Sequence, residues 1–213
     1  MKSNPFLGLL VLLTFALFIS GCYAQNGSVP ASLEDPVQAD DSQNEPLNTS
    51  GAIGLSDLGE MQLYENAENS IIVTYPSGWT AQDADANDLG LVAGFLAPGE
   101  DMDSSSIYIT LQVETLPEGM NLTLAQYGKA ALSNLKKAVP DLKILAESDI
   151  PIGEQPGHAV VYNLMSEGAK YRVLRAWTVQ GDAAYIFTYN APDDRYDEFA
   201  EDASKIIGSL ELV

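Results

Sequence analysis

The sequence predicts an α+β domain in which helices pack on an antiparallel β-sheet, and three patterns carry that reading. Residues 107–114 alternate apolar and polar side chains with a period of two. Three strand-like runs between residues 158 and 190 are separated only by short glycine-containing turns. Two stretches, in residues 123–138 and 194–210, repeat apolar residues at helical spacing.

Taken in order, residues 70–75 are β-prone and run into Pro76-Ser77-Gly78, a turn that folds Trp79 back toward the core. Residues 91–96 form a second strand, ended by Pro98-Gly99. In the third, Ile107, Ile109, Leu111 and Val113 mark one face and Tyr108, Thr110, Gln112 and Glu114 the other. Thr123-Leu124-Ala125-Gln126 then fits a capping box, in which the first and last side chains each satisfy a free backbone N–H. Leu124, Tyr127, Ala131, Leu135 and Ala138 share one face of that helix, and Pro140 ends it. Residues 142–150 read as a strand closed by Pro151.

Residues 158–166, 171–180 and 183–190 follow as an antiparallel meander through the turns Glu167-Gly168 and Gly181-Asp182. These strands are apolar on both faces, so both sides of the sheet should be covered at least in part. Asp193 or Asp194 is placed to cap the closing helix. Its apolar stripe is Tyr196, Phe199, Ala200, Ala203, Ile206, Ile207 and Leu210.

The 213-residue chain divides into a leader (1–21), a tether (22–60) and this domain (61–213). Lys2 precedes a run of 14 residues, 6–19, that is apolar except for Gly8 and Thr14. A membrane-spanning helix needs roughly 20 apolar residues, so the run suits a signal-peptide core. Ile19-Ser20-Gly21-Cys22 resembles the lipobox of prokaryotic lipoproteins. That resemblance implies a diacylglyceryl group on the Cys22 thiol and cleavage that leaves Cys22 as the N-terminus. Two acyl chains anchor stably, which places the domain on the extracytoplasmic face of the cell membrane. The tether has no basic residue and no apolar period, and as a coil of about 38 residues would span roughly 30–40 Å. Asn26, Asn48 and Asn121 begin N-glycosylation sequons, relevant only in a host that glycosylates exported proteins.

Charge narrows the partners. Thirty acids against 10 bases give a formal charge of −20, and no Lys or Arg occurs between Lys2 and Lys129. Such a chain repels nucleic acid, which is bound by neutralising phosphates, and repels an anionic bilayer. Membrane attachment therefore falls to Cys22. With one cysteine there is no intrachain disulfide, and the domain stands on its core.

Chemistry-bearing residues are few. His158 is the only histidine, without the second nitrogen or sulfur ligand a zinc site needs, and reads as a surface or strand-edge residue. No Gly-x-Ser-x-Gly elbow is present, and no catalytic residue is assigned. Asp83, Asp85 and Asp88 share one loop, and Glu100, Asp101 and Asp103 another. Calcium takes six to eight oxygen ligands, so these acids suit weak Ca²⁺ binding or simply a solvated surface; the EF-hand spacing is missing. No other cofactor is expected. Lys170, Arg172 and Arg175 form a small basic edge, with Arg172 and Arg175 on opposite faces of their strand.

From residue 61 to 213 the punctuation resembles the PsbP-like proteins, which share the Mog1/PsbP fold. The residues that carry this are Tyr75-Pro76-Ser77-Gly78-Trp79, Gly157-His158-Ala159 with Tyr162, and Gly168, Tyr171 and Gly181. Tyr185-Ile186-Phe187 and the final Ser209-Leu210 complete the set. The resemblance implies an α/β/α sandwich and an extrinsic protein without enzymatic activity. In photosynthetic members the domain docks on the lumenal side of photosystem II and helps retain calcium and chloride, and Mog1-type relatives bind a nuclear GTPase. The expectation is thus a lipoprotein whose domain binds a protein partner or supports a membrane complex. The alternative is an envelope module for a divalent cation or small ligand, which requires the six acids to converge.

Overall fold

The computed structural model describes residues 60–84, 90–101, 105–117, 119–139, 142–166 and 168–213. Cys22, Asn26, Asn48, Asp85, Asp88 and Asp103 lie outside the described residues. The first five strands are β1 (Met61–Asn66), β2 (Ile71–Pro76), β3 (Thr80–Asp83), β4 (Leu91–Leu96) and β5 (Tyr108–Thr115). Helix α1 (Leu124–Ala138) follows, then β6 (Lys143–Ile152), β7 (Gln155–Ser166), β8 (Ala169–Gln180) and β9 (Ala183–Pro192). Helix α2 (Tyr196–Gly208) and β10 (Glu211–Leu212) close the chain. Among the described residues no helix is long and apolar enough to cross a membrane.

The large sheet is antiparallel, with strand order β3-β4-β5-β9-β8-β7-β6, and a second sheet has the order β1-β2-β10. Helix α1 carries the chain from β5 to the far edge at β6, and three hairpins then bring β9 back beside β5. Each hairpin closes through two residues, because Ile152 pairs with Gln155, Ser166 with Ala169 and Gln180 with Ala183. At the first of these turns Gly153 has φ +57°, and a Cβ there would run into the Leu210 carbonyl oxygen. Only glycine fits.

Period-two alternation sorts the large sheet into two cores. Phe95, Ile109, Leu111, Ala159, Ala176, Phe187 and Tyr189 face α2 and the small sheet, where Ile71, Val73, Ala203, Ile206 and Ile207 meet them. Val160, Tyr162, Val173, Trp177, Ala184 and Ile186 face α1, meeting Tyr127 and Leu135. The protein is therefore α+β as expected but richer in sheet than an α/β/α sandwich: one outer layer combines a helix with three strands. Trp79 is buried against that layer, its Nε1 donating to Asp202 at 3.1 Å.

The α1 capping box forms as the sequence requires, Thr123 and Gln126 exchanging bonds. Two readings need correction. Strand β6 does not stop at Pro151; it continues to Ile152, with Pro151 opposite Pro156. A proline is tolerated there because β6 is an edge strand. Neither Asp193 nor Asp194 caps α2; its N-cap is Arg195, with no side-chain cap bond. Asp193 instead accepts from Lys170 Nζ at 2.6 Å and Arg172 Nε at 2.9 Å. Hydrogen bonding from Lys170 is the main cause that holds its carboxyl below the ordinary aspartate value, with Arg172 adding to it.

Candidate functional site

Helix α1 is held to the sheet by a polar pin inside the apolar layer. Tyr127, buried on the helix, donates its hydroxyl to Glu114 Oε2 on β5 at 2.8 Å. Burial pushes the Glu114 carboxyl above its ordinary value, while the Tyr127 bond and the charge of buried Arg175 on β8 pull it back. Burial, reinforced by the Glu114 charge, raises Tyr127 as well, so the phenol keeps its proton and donates. Arg172, three positions before Arg175 on the same strand and so of opposite parity, lies on the other face with Asp193, Asp197 and the Tyr196 ring.

The helix does not cover β6. From residue 145 to 149 that strand is exposed on both faces. Between α1 and the β6–β7 hairpin lies an open groove of about 860 Å³. Its apolar walls are Leu124 and Leu132 on one side and Ile150, Pro151 and Pro156 on the other. Glu147, Asp149 and Glu154 also line it, against a single Lys129.

His158 anchors the acidic side. Its Nδ1 lies 2.7 Å from Asp149 Oδ1, and its Nε2 lies 3.1 Å from Glu147 Oε1. A neutral imidazole has one N–H, so it donates to both carboxylates only when both nitrogens carry protons. The ring also packs against Trp177, centroid to centroid 5.2 Å and tilted by 48°. Trp177 is buried and, among the described residues, its Nε1 has no hydrogen-bond partner. Gly128 allows α1 to settle on that indole, since a Cβ there would stand 3.3 Å from Nε1. His158, read from sequence as a strand-edge residue, is thus the inner wall of a groove.

No protein-family profile matches the sequence, and no curated protein does. Solved structures do match. Cyanobacterial PsbP (CyanoP) from Synechocystis sp. PCC 6803 aligns at 16% identity over 77% of this chain and 99% of its own, with a TM-score of 0.54. LpqN, involved in cell envelope biogenesis of Mycobacterium tuberculosis, aligns at 14% identity over 71% of this chain and 89% of its own, TM-score 0.53. The chain has the PsbP/Mog1 fold. The Ran-binding protein Mog1p of Saccharomyces cerevisiae aligns more loosely, at 12% identity over 72% and 96% of the two chains, TM-score 0.47.

Within this PsbP/Mog1 fold the described acids are engaged separately. Asp83, at the end of β3, accepts from the Tyr64 hydroxyl at 2.9 Å and pairs with Ala93 near the start of β4. Glu100 follows the other end of β4. Its Oε2 accepts from the backbone N–H groups of Ser106 at 2.6 Å and Ile107 at 3.3 Å, and its Oε1 from Arg195 Nη1 at 3.2 Å. It ties the β4–β5 connection to the start of α2. Asp83 lies opposite Ala93 within β4 and Glu100 lies beyond the Leu96 end of that strand, each bonded to different partners. Asp101 is exposed, as is Asn121 just ahead of α1. Among the described residues no group of three or more His, Cys, Asp or Glu is placed to hold a metal ion.

The groove itself was not read from the sequence. Glu147 and Asp149 meet His158 only through the β6–β7 register, which pairs Asp149 with His158. The signal was Ile152-Gly153-Glu154-Gln155, a two-residue glycine turn between strand-like runs, masked by the flanking Pro151 and Pro156.

Proposed function

We propose that this chain is a lipid-anchored, non-enzymatic accessory protein on the extracytoplasmic face of the cell membrane, whose PsbP-like domain docks a protein partner. The observation that carries the reading is the groove beside α1, where apolar walls sit next to an exposed strand and a charged rim. Interfaces favour such a patch: apolar surface that gains by burial, edged by polar groups that set orientation. The lipobox-like Ile19-Ser20-Gly21-Cys22 supports the membrane setting, and the involvement of LpqN, a protein of the same fold, in cell envelope biogenesis agrees with it.

The test is a cross-linked pull-down of the full chain from its own membranes, with Cys22→Ala as the control. Reproducible recovery of one membrane-associated protein supports the reading, together with loss of the Cys22→Ala form from the washed membrane fraction. Retention of the Cys22→Ala form in that fraction contradicts the lipid anchor. Absence of any specific partner contradicts docking.

A further inference from the structure

We infer that β6 is a strand-addition site, at which an extended, basic segment of the partner pairs with the free edge and seats alternate side chains in the groove; this rests on the docking reading above. Strand β6 is the last strand of the seven-stranded sheet and pairs with β7 alone. Among the described residues, no other backbone group bonds to it. An edge strand offers unpaired N–H and C=O groups as a ready template, and native proteins normally cover or blunt it. Here the ladder irregularity between Ile144 and Ala146 and the missing N–H of Pro151 limit the open template to residues 146–150. From residue 146 to 149 neither face of the strand is covered, and Ile150 packs partly on the core.

Charge selects the occupant. Glu147 and Asp149 project to the same face, toward His158, and their side chains remain 45% and 89% exposed while bonded to it. Two successive positions of one face thus present carboxylates, a spacing that an extended partner meets with Lys or Arg at alternate residues. Leu124, Leu132 and Pro156 line the groove on that same face, where the methylene stems of those Lys or Arg side chains pack on their way to the carboxylates. The chain's own tether is a poor occupant, since no Lys or Arg occurs between Lys2 and Lys129. A second copy is disfavoured as well: antiparallel pairing of β6 with itself about Ser148 would set Glu147 of each copy opposite Asp149 of the other, carboxylate against carboxylate.

The probe is a fluorescein-labelled peptide, acetyl-Val-Arg-Val-Arg-Val-Arg-Val-amide, titrated by anisotropy against the full chain in detergent. Saturable binding is expected, falling about tenfold for E147Q/D149N, the loss of two exposed ion pairs. Replacing the peptide's Arg by Glu, or N-methylating alternate amides with its charges kept, is expected to abolish binding to the wild-type chain. Equal binding of the N-methylated peptide overturns strand addition, and equal binding of the Glu peptide overturns the charge assignment; both use the unaltered protein. Repeating the membrane pull-down with E147Q/D149N separates the two readings. Recovery of the partner at the wild-type yield leaves docking standing and removes β6 as its site.

Discussion

The two faces of the seven-stranded sheet are built to different standards. Where α2 and the small sheet lie on it, one face is closed: Phe95, Ile109, Leu111, Phe187, Tyr189, Ala203 and Ile206 are all shut off from solvent. Side-chain bonds reinforce it, with Ser209 Oγ bridging the backbone of Thr74 and Glu100 linking a loop to Arg195. The opposite face is partly open. One helix covers its middle through a Glu114–Tyr127 pin, and the sheet beyond α1 is bare along β6. A domain that must be stable and also bind can divide the tasks this way, one side supplying the core and the other the surface.

The largest test of that contrast is truncation on each side. Phe187→Ala on the closed face should cost about 3–5 kcal/mol in denaturant unfolding, the usual cost of emptying an aromatic site in a rigid core. Leu132→Ala, at the half-buried wall of the groove, should cost roughly 1 kcal/mol. Comparable losses would erase the distinction between the faces.

Next in size is Glu100→Ala, expected to cost about 2 kcal/mol because two backbone N–H groups and Arg195 lose a charged acceptor whose side chain is only 11% exposed. The loss should be the same with and without calcium. Calorimetric titration of the full chain with calcium should show no saturable site that this substitution removes. A calcium-dependent loss would revive the cation-binding alternative.

Smaller, and opposite in sign on the two faces, is the response to acid. Asp193 on the closed side has a lowered pKa, so its contribution is complete above the ordinary aspartate value of 3.8 and is lost as pH falls through the folded value. Glu114 on the open side has a raised pKa. Its folded carboxyl takes up a proton first, so stability rises as pH falls from the folded value toward the ordinary 4.5. Denaturation midpoints across pH 3–7 should therefore show a shallower acid loss for Asp193→Asn. Glu114→Gln should lack the gain above 4.5. Identical profiles would deny both assignments.

Legibility in the sequence followed the same divide. The meander was readable because Gly168 and Gly181 mark its turns at φ +82° and +62°, and because both sheet faces there are apolar. Helix α1 announced itself through Thr123 and Gln126. Strand β1 did not, since of its six residues only Tyr64 is buried and no alternation results. Strand β3, Thr-Ala-Gln-Asp, carries no apolar pattern. The acidic side of the groove depends on pairing across a turn flanked by prolines, and pairing is a tertiary fact that local propensity does not encode. Asp193 looked like a cap because of its position; two cations on β8 hold it instead.

The most direct measurement places a photo-cross-linking amino acid at Ser148 on β6 or at Ser204 on α2, both exposed, in the full chain in its own membranes. The account predicts one cross-linked partner from position 148 and none from position 204. Cross-links of equal yield from both positions, or from 204 alone, would contradict it.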